Sequence, residues 1–179
     1  YPWMEWTAEK KLTVMRMNRL QKHWEFLTVA TKSGKSISGL SESDEAGWVG
    51  LHRNYKFLKN GNIVWMSERS GWHHLYIHTA AGELVQQITD GEWEVKRIIH
   101  LDEENEIVYF TANKASVFET RFYSIQFDGT NLKLLTKEKG SHSIKVLPKG
   151  NAFIDSYSSI QTPTKHILKN MDGNVLMVL

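Results

Sequence analysis

The sequence repeats a glycine-centred pattern four times. In each copy the glycine follows a strand-like apolar stretch, and an aliphatic residue stands six positions after it. The glycines are Gly34, Gly82, Gly129 and Gly173, the aliphatic residues are Leu40, Ile88, Leu135 and Leu179, and the hydroxyl residues that follow the first three are Ser41, Thr89 and Thr136. A pattern that recurs every 44 to 48 residues indicates a fold built from repeated supersecondary units.

Each repeat has room for four short strands, and the second of these strands is apolar on both faces. Ile63–Met66 and Ile107–Phe110 show this most clearly. A strand with one face in water would alternate, so these strands require cover on both sides. We therefore predict an all-β fold, a partial β-propeller of about four blades with four antiparallel strands each, because a β-sandwich lacks so regular a period. The predicted blades of this single propeller fragment, 1–179, are 1–41, 55–90, 95–136 and 142–179.

Composition excludes several classes of protein. The 179 residues carry a formal net charge of +2, too small to indicate a nucleic acid or an anionic membrane as partner. No apolar run reaches the roughly 18 residues that a membrane span needs. Cysteine is absent, which excludes disulfides and thiolate chemistry but leaves the redox compartment open. Because the chain begins at Tyr1 and ends in the apolar run Val175–Leu179, we expect a fragment of a longer protein.

Catalytic and metal-binding signals are weak. The nucleophile elbow Gly-x-Ser-x-Gly does not occur, so we predict no catalytic residue in this chain. His73, His74 and His78 raise the question of a metal site. His74 and His78 share a strand face but lie about 13 Å apart at about 3.3 Å per residue. We therefore interpret them as polar and edge residues of a blade, and we predict neither metal nor cofactor.

Charged residues near the predicted turns leave two interpretations open. Glu92 and Glu94 flank Trp93 and could bind a cation, although solvated loop residues are the favoured interpretation. The turns that follow the second strands line one mouth of a propeller, so charged residues there could bind a ligand. They could instead form ion pairs between neighbouring blades, and this is the interpretation that we favour. The residues concerned are Arg16, Arg19, Glu68 and Arg69. The hydroxyl groups of Asp155–Ser159 are expected to tie a turn to its backbone.

Five segments together resemble the propeller of dipeptidyl peptidase IV-like enzymes of the prolyl oligopeptidase class. They are LTVMRMNRLQKHWEFL (12–27), SERSGWHHLYIH (67–78), TDGEWEV (89–95), VYFTAN (108–113) and DSYSSIQTP (155–163). The resemblance implies an eight-bladed propeller joined to an α/β-hydrolase domain, of which this chain is about the last four blades. Such enzymes release dipeptides from peptide N-termini. Their catalytic triad, and the glutamate pair that holds the substrate amino group, would lie outside this chain.

The resemblance also suggests two substrate-binding residues. Trp48–Arg53 is similar to the family segment whose side chains reach the substrate cleft, so His52 and Arg53 would border the extended substrate pocket. The family often has an aromatic residue where His52 stands. A guanidinium such as that of Arg53 is suited to a peptide carbonyl or carboxylate.

We therefore expect the non-catalytic propeller part of a serine exopeptidase, which shapes and gates access to the hydrolase domain of the same parent chain. The alternative is a propeller that only binds partner proteins, although the WD40 signature is absent. The expected partners are a peptide substrate, the hydrolase domain and a second copy, which would dimerise through exposed blade faces. The candidates for those faces are Val14, Leu27 and Val29 or their strand neighbours in the first blade, and residues including Phe153, Ile154 and Ile167 in the last. Which face of each strand is the bare one is left open by the sequence.

Overall fold

The computed structural model describes residues 3–6, 11–50 and 54–179, and within these ranges it contains strands, turns and loops but no helix. The sixteen strands are β1 Trp3–Trp6, β2 Leu12–Met17, β3 His23–Val29, β4 Ser36–Ser43, β5 Tyr55–Phe57, β6 Ile63–Ser67, β7 His74–His78, β8 Leu84–Gln87, β9 Val95–Asp102, β10 Ile107–Ala112, β11 Arg121–Gln126, β12 Lys133–Leu134, β13 Ser141–Val146, β14 Ala152–Ser158, β15 Lys165–Asn170 and β16 Val175–Val178.

The strands form four antiparallel sheets of four strands each, in the part of the chain that the structure describes. Their orders are β1-β2-β3-β4, β5-β6-β7-β8, β9-β10-β11-β12 and β13-β14-β15-β16. Every sheet is thus a simple meander whose neighbours in sequence are neighbours in space. This arrangement confirms the predicted all-β fold, a partial β-propeller of four blades. The residue limits predicted for the blades stay predictions.

The inner strands are buried on both faces, as their apolar sequences predicted. β6 is buried over its whole length, and only the first residue of β10 is partly exposed. β7 is also buried throughout, which the sequence analysis did not foresee. His74 and His78, expected at polar or edge positions, are 0% and 1% exposed. The expectation was wrong because the third strand of this sheet, like the second, is covered on both faces.

The chain divides into two compact units, Tyr1–Trp65 with Tyr76–Gln86 and Met66–Leu75 with Gln87–Leu179. The first unit has an aromatic core in which Trp24 lies 4.4 Å from Trp65 between ring centroids, and Phe26 meets Trp65 edge-on. Met15 and Leu40 complete this core. Large rings fill the wide space between two sheets with few side chains.

In the second unit, a cluster of buried apolar residues joins the last two sheets. Phe122 of β11 contacts Phe153 of β14 edge-on, with 4.9 Å between ring centroids. Leu135 and Tyr109 pack into the same cluster. Phe153 is 0% exposed, and Ile167 is 7% exposed. Of the candidates for a bare face, these two therefore do not qualify, since they lie on the covered side of the last sheet.

The repeated glycines lie where one sheet contacts the sheet before it. Each lies in the turn between the third and fourth strands, and the backbone of Gly82, Gly129 and Gly173 meets the end of the fourth strand of the preceding repeat. In the first unit, a Cβ on Gly82 would lie 2.8 Å from the Gly39 carbonyl oxygen. In the second unit, a Cβ on Gly173 would lie 2.4 Å from the Leu135 carbonyl oxygen. Real Cβ atoms do not approach so closely, so only glycine fits.

The aliphatic and hydroxyl residues of the repeat lie at the end of the fourth strand and terminate it. The Leu135 N–H donates to the Phe122 carbonyl at 2.9 Å, and the Phe122 N–H donates to Thr136 Oγ1 at 2.9 Å. The threonine hydroxyl thereby replaces a backbone carbonyl where the strand turns away. The second repeat uses Ile88, Thr89 and Leu75 in the same way, at 2.8 and 2.9 Å.

Replacing Gly173 with alanine should destabilise the protein by about 1–3 kcal/mol more than the same change at Gly71. Gly173 and Gly71 both have positive φ, 84° and 92°, so alanine would strain the backbone at both positions. Only Gly173 faces another backbone, whereas Gly71 has no neighbour within 4 Å among the described residues. Urea unfolding of the two variants measures the difference. Equal losses would show that the contact between sheets does not constrain this turn.

Candidate functional site

One end of each sheet carries the turns and connections near which the described candidate functional residues lie. Because the strands are antiparallel, the turn after the second strand and the connection after the fourth strand lie at the same end. We call this the loop end of a sheet. In the first unit it comprises residues 18–22 and 44–50, and in the second unit it comprises residues 68–73, 88–94, 113–120, 135–140 and 159–164.

The two predicted substrate-binding residues, His52 and Arg53, lie outside the described residues. The chain immediately before them is anchored to the turn between β2 and β3. The Val49 N–H donates to the Gln21 carbonyl at 2.8 Å, and Val49 also packs against the aromatic core. Trp48 is 78% exposed at this position. The loop that carries His52 and Arg53 therefore leaves from a fixed point at the loop end of the first sheet.

Two further contacts hold the same loop. The Asp44 carboxylate accepts hydrogen bonds from the Ala46 and Gly47 N–H groups at 2.8 and 3.0 Å, which closes a tight turn. Lys22 Nζ donates to the Glu45 carbonyl at 2.6 Å. Backbone amides and one ammonium group thus define the path of the loop up to Gly50.

Arg16, one of the candidate turn residues, pairs inside its own sheet. Its Nε donates to Glu25 Oε1 at 2.8 Å, and Ser38 Oγ donates to Glu25 Oε2 at 2.6 Å. The hydrogen bond from Ser38, followed by that from Arg16, lowers the pKa of Glu25. Pairing between blades was the favoured interpretation, and for Arg16 it is wrong because strand register brings Glu25 directly opposite.

Charged residues in the turn between β6 and β7 also contact residues of their own sheet. His73 Nε2 lies 2.9 Å from Glu68 Oε1, across the turn between β6 and β7. Arg69 Nε donates to Ser67 Oγ at 3.1 Å. Arg19 is exposed at the tip of the turn between β2 and β3. These contacts tie the turns to their own sheets.

Glu94 joins two loops of the second unit. Its N–H donates to Asn113 Oδ1 at 2.7 Å, and the Asn113 N–H donates back to the Glu94 carbonyl at 3.1 Å. The Glu94 carboxylate accepts a hydrogen bond from Lys96, which lowers the pKa of Glu94 against the opposing effect of burial. Glu92 is exposed. Glu94 is therefore committed to loop structure, and its carboxylate is neutralised by a lysine.

Trp93 lies between these glutamates and is buried. Its ring stacks on Phe110 at 16° between planes, and His74 meets it edge-on with 5.0 Å between centroids. Lys114 Nζ lies 4.8 Å from the ring centroid, in cation–π range. The tryptophan thus fixes the entry into β9.

His74 belongs to a buried chain of three hydrogen bonds. The Leu75 N–H donates to Thr89 Oγ1 at 2.9 Å, Thr89 Oγ1 lies 3.0 Å from His74 Nδ1, and His74 Nε2 lies 2.9 Å from the Gly91 carbonyl. A carbonyl only accepts, so Nε2 carries the hydrogen and Nδ1 accepts from the threonine hydroxyl. Every polar atom of the ring is satisfied in the neutral form.

A second buried polar cluster connects the last sheet to the loop that precedes it. Asp155 of β14 is 0% exposed, and its two oxygens contact His142 Nδ1 at 2.7 Å and Lys169 Nζ at 3.0 Å. Lys169 Nζ also donates to Glu138 Oε2 at 2.7 Å. His142 Nε2 lies 2.9 Å from the Glu138 carbonyl, and Tyr157 stacks on the imidazole. We call these residues the Asp155 cluster.

The Asp155 cluster contains residue types that also occur in catalytic sites, but its polar groups are buried and paired with one another. Burial, the largest single cause, raises the pKa of Glu138, but the hydrogen bond and charge of Lys169, a backbone hydrogen bond and the nearby His142 together outweigh it, so the net shift of the pKa is downward. Both carboxylates therefore face cationic or hydrogen-bond-donating partners. All members are satisfied by each other, which indicates a structural clamp between the loop 135–140 and the last sheet.

Sequence reasoning missed this cluster, although a signal was present. Asp155 stands two positions after Phe153 and two before Tyr157, so it shares the buried face of β14 with both. One hydroxyl of this segment makes the expected turn contact, since the Gln161 N–H donates to Ser159 Oγ at 3.2 Å, whereas that of Ser156 bonds the His166 side chain. A charged residue on a buried face requires a partner, and that requirement predicts the cluster.

Within the described ranges, no group of three or more His, Cys, Asp or Glu side chains could hold a metal ion. Among the same residues no helix has the length and apolarity needed to cross a membrane.

Acidification should weaken the fold through His74. Burial, the largest cause, lowers the pKa of His74 below its ordinary 6.5. The unfolded chain then binds a proton that the folded chain excludes, so the free energy of unfolding falls as the pH drops below about 6.5. His74→Gln should flatten the pH dependence of urea unfolding between pH 7 and 5. An unchanged slope, or a doubly protonated ring in a ¹⁵N spectrum at pH 7, would contradict this account.

Asp155→Asn should cost about 3–5 kcal/mol of folding free energy, because it leaves Lys169 and His142 buried without their shared carboxylate. Asp172→Asn is the matched control, since Asp172 is exposed in the turn between β15 and β16. Thermal or urea unfolding gives the comparison. Similar stabilities for the two variants would show that the cluster does not clamp the last sheet.

Comparison with known proteins confirms the resemblance. Residues 1–164 match the family described as the dipeptidyl peptidase IV (DPP IV) N-terminal region. Dipeptidyl peptidase 4 of Trichophyton rubrum is 27% identical over 162 residues, covering 87% of this chain and 21% of that protein. Dipeptidyl peptidase 4 of Arthroderma otae is 29% identical over 161 residues, covering 87% of this chain and 21% of that protein.

A solved structure supports the same family relationship. The crystal structure of Porphyromonas gingivalis dipeptidyl peptidase 4 superposes with a TM-score of 0.87 at 26% identity, covering 94% of this chain and 24% of that chain. The chain spans about a fifth of the length of the curated relatives it matches. With the family match over 164 of its 179 residues, this chain belongs to the dipeptidyl peptidase IV N-terminal region family.

Proposed function

We propose that the chain is the non-catalytic propeller part of a serine exopeptidase that releases N-terminal dipeptides. In this proposal it shapes and gates substrate access to an α/β-hydrolase domain in the same parent chain. The observation that carries the proposal is the match to the dipeptidyl peptidase IV N-terminal region over residues 1–164. The relatives named dipeptidyl peptidase 4 are about five times longer than the matched stretch, which leaves room for a catalytic domain.

The sequence supports a division of labour between two domains. No Gly-x-Ser-x-Gly occurs among the 179 residues, so the chain lacks the elbow that presents a nucleophilic serine in α/β-hydrolases. The buried His142 and Asp155 have no serine nucleophile among their partners and face Lys169 instead. The chemistry is therefore assigned to the parent's other domain, and the isolated chain is inactive.

The substrate-facing part of the proposal concerns His52 and Arg53. Supporting it is the anchored loop, which the Val49–Gln21 hydrogen bond fixes at the loop end up to Gly50 and which is described again from Asn54. A guanidinium on such a loop can donate two parallel hydrogen bonds to a peptide carbonyl or carboxylate. In this arrangement Arg53 orients the bound peptide, and His52 lines the pocket beside it.

The test is a steady-state assay of the full-length parent with a dipeptidyl chromogenic substrate such as a Gly-Pro anilide. Arg53→Ala should raise KM about tenfold with little change in kcat, because it removes a hydrogen bond made equally in the ground and transition states. Arg97→Ala is the matched control, since Arg97 is exposed on β9. The isolated chain serves as a blank and should give no turnover.

The alternative function, a propeller that only binds proteins, makes the opposite predictions. A parent reading frame with no Gly-x-Ser-x-Gly after Leu179, or a parent without dipeptidyl peptidase activity, would favour it. An Arg53→Ala parent with unchanged KM would leave the enzyme assignment intact but remove Arg53 from the substrate pocket.

A further inference from the structure

A residue with left-handed backbone lies at the loop end of the first sheet. Gln21, in the turn between β2 and β3, has a φ of +57°. Among the described residues other than glycine, Glu106 and Asn131 also have positive φ, at 55° each, but both lie in turns at the opposite end of their sheet. Left-handed backbone is costly for a residue with a Cβ, so its surroundings or its function must require it.

The turn that contains Gln21 is closed by its own hydrogen bonds. The Gln21 N–H donates to the Asn18 carbonyl at 3.1 Å, and the Asn18 N–H donates to the His23 carbonyl at 2.9 Å. Asn18 Oδ1 accepts from the Lys22 N–H at 3.0 Å and from the His23 N–H at 3.3 Å. The backbone of this turn is thus fixed by contacts within the turn itself.

Two consecutive residues of this turn hold the loop that follows β4. The Gln21 carbonyl accepts from the Val49 N–H at 2.8 Å, and the Lys22 carbonyl accepts from the Asp44 N–H at 2.9 Å. Lys22 Nζ also donates to the Glu45 carbonyl at 2.6 Å. Lys22 therefore holds the first residues of the loop, and Gln21 holds its last described ones.

The bond to Gln21 also fixes the setting of an exposed tryptophan. Val49 packs against the aromatic core, whereas Trp48 beside it is 78% exposed. On the other side of Trp48, the Gly47 N–H donates to Asp44 Oδ1 at 3.0 Å. The backbone is therefore held at both neighbours of the tryptophan. A contact residue presented from such a backbone loses little conformational freedom when it binds a ligand.

We propose that Gln21 is a positioning residue for substrate binding. Its left-handed backbone directs a carbonyl at Val49, and through Val49 it fixes the orientation of Trp48 and of the chain that continues beyond Gly50. The inference rests on the proposed function, which puts this loop beside the bound peptide. Because Gln21 acts through its main chain, its backbone conformation is required and its side-chain amide is replaceable.

The experiment uses two variants of the full-length parent and a matched control. Gln21→Val disfavours the left-handed backbone because valine is β-branched, whereas Gln21→Asn retains it because asparagine adopts this conformation more readily. Glu106→Val is the control, since Glu106 has nearly the same φ and its carbonyl also accepts a backbone N–H, from Phe127 at 2.8 Å. The control reproduces the strain at the opposite end of a sheet.

The first readout is hydrogen exchange of the peptide that contains Val49, followed by mass spectrometry. The Val49 N–H should exchange about tenfold faster in Gln21→Val than in the wild type, because its acceptor is displaced. The second readout is steady-state kinetics with a Gly-Pro anilide. Gln21→Val should raise KM about fivefold with little change in kcat, whereas Gln21→Asn and Glu106→Val should keep the wild-type KM.

Failure of this inference is distinguishable from failure of the proposed function. A parent without dipeptidyl peptidase activity overturns the proposed function, and the substrate role of Gln21 with it. An active parent overturns the positioning role alone if Gln21→Val leaves KM unchanged or if Glu106→Val raises KM equally. Wild-type exchange at Val49 in Gln21→Val also overturns it, since the left-handed backbone would then not hold the loop.

Discussion

The fold depends on a close backbone contact between the turn glycines Gly82, Gly129 and Gly173 and the end of the fourth strand of the preceding sheet. At Gly173 the contact leaves 2.4 Å between a notional Cβ and the Leu135 carbonyl oxygen, so no other residue fits without displacing backbone. The aliphatic residue at that strand end is buried by the same contact, as the 2% exposure of Leu135 shows. One interaction thus explains both halves of the repeated sequence pattern, the invariable glycine and the aliphatic residue of the repeat before it.

Polar groups dominate at the opposite end of the sheets, where connections pass from one sheet to the next. Desolvating such groups is costly unless each finds a partner. His74 is satisfied by Thr89 and Gly91, and Asp155 by His142 and Lys169. Hydrogen bonds across loops therefore fix the loop end, while apolar packing fills the space between sheets. A loop end held in this way is a suitable support for residues that contact a substrate.

The sequence predicted the architecture well because its period and its doubly apolar strands report directly on backbone contact and burial. The positions and partners of individual polar residues were harder to predict from the sequence. His74 was placed at an edge because alternation treats histidine as a surface residue, whereas the doubly covered β7 buries it. Arg16 pairs with Glu25 within its sheet because register, which the sequence does not reveal, sets that distance. Phe153 stands among the candidates for a bare face, although it is buried in a core cluster, because periodicity shows that the two faces of a strand differ but not which one is covered.

The measurement that tests the contact most directly is amide hydrogen exchange at the four turn glycines in dilute solution. All four N–H groups donate to a carbonyl within their own turn, at 2.8 Å to Ala30 for Gly34 and at 2.9 Å to the residue three positions earlier for Gly82, Gly129 and Gly173. Within the described part of the chain, the last three are docked on a preceding strand and Gly34 is not. Their exchange should be slower than that of Gly34 by about a hundredfold, since opening the turn requires separating two sheets. Equal exchange rates at all four glycines would contradict the account.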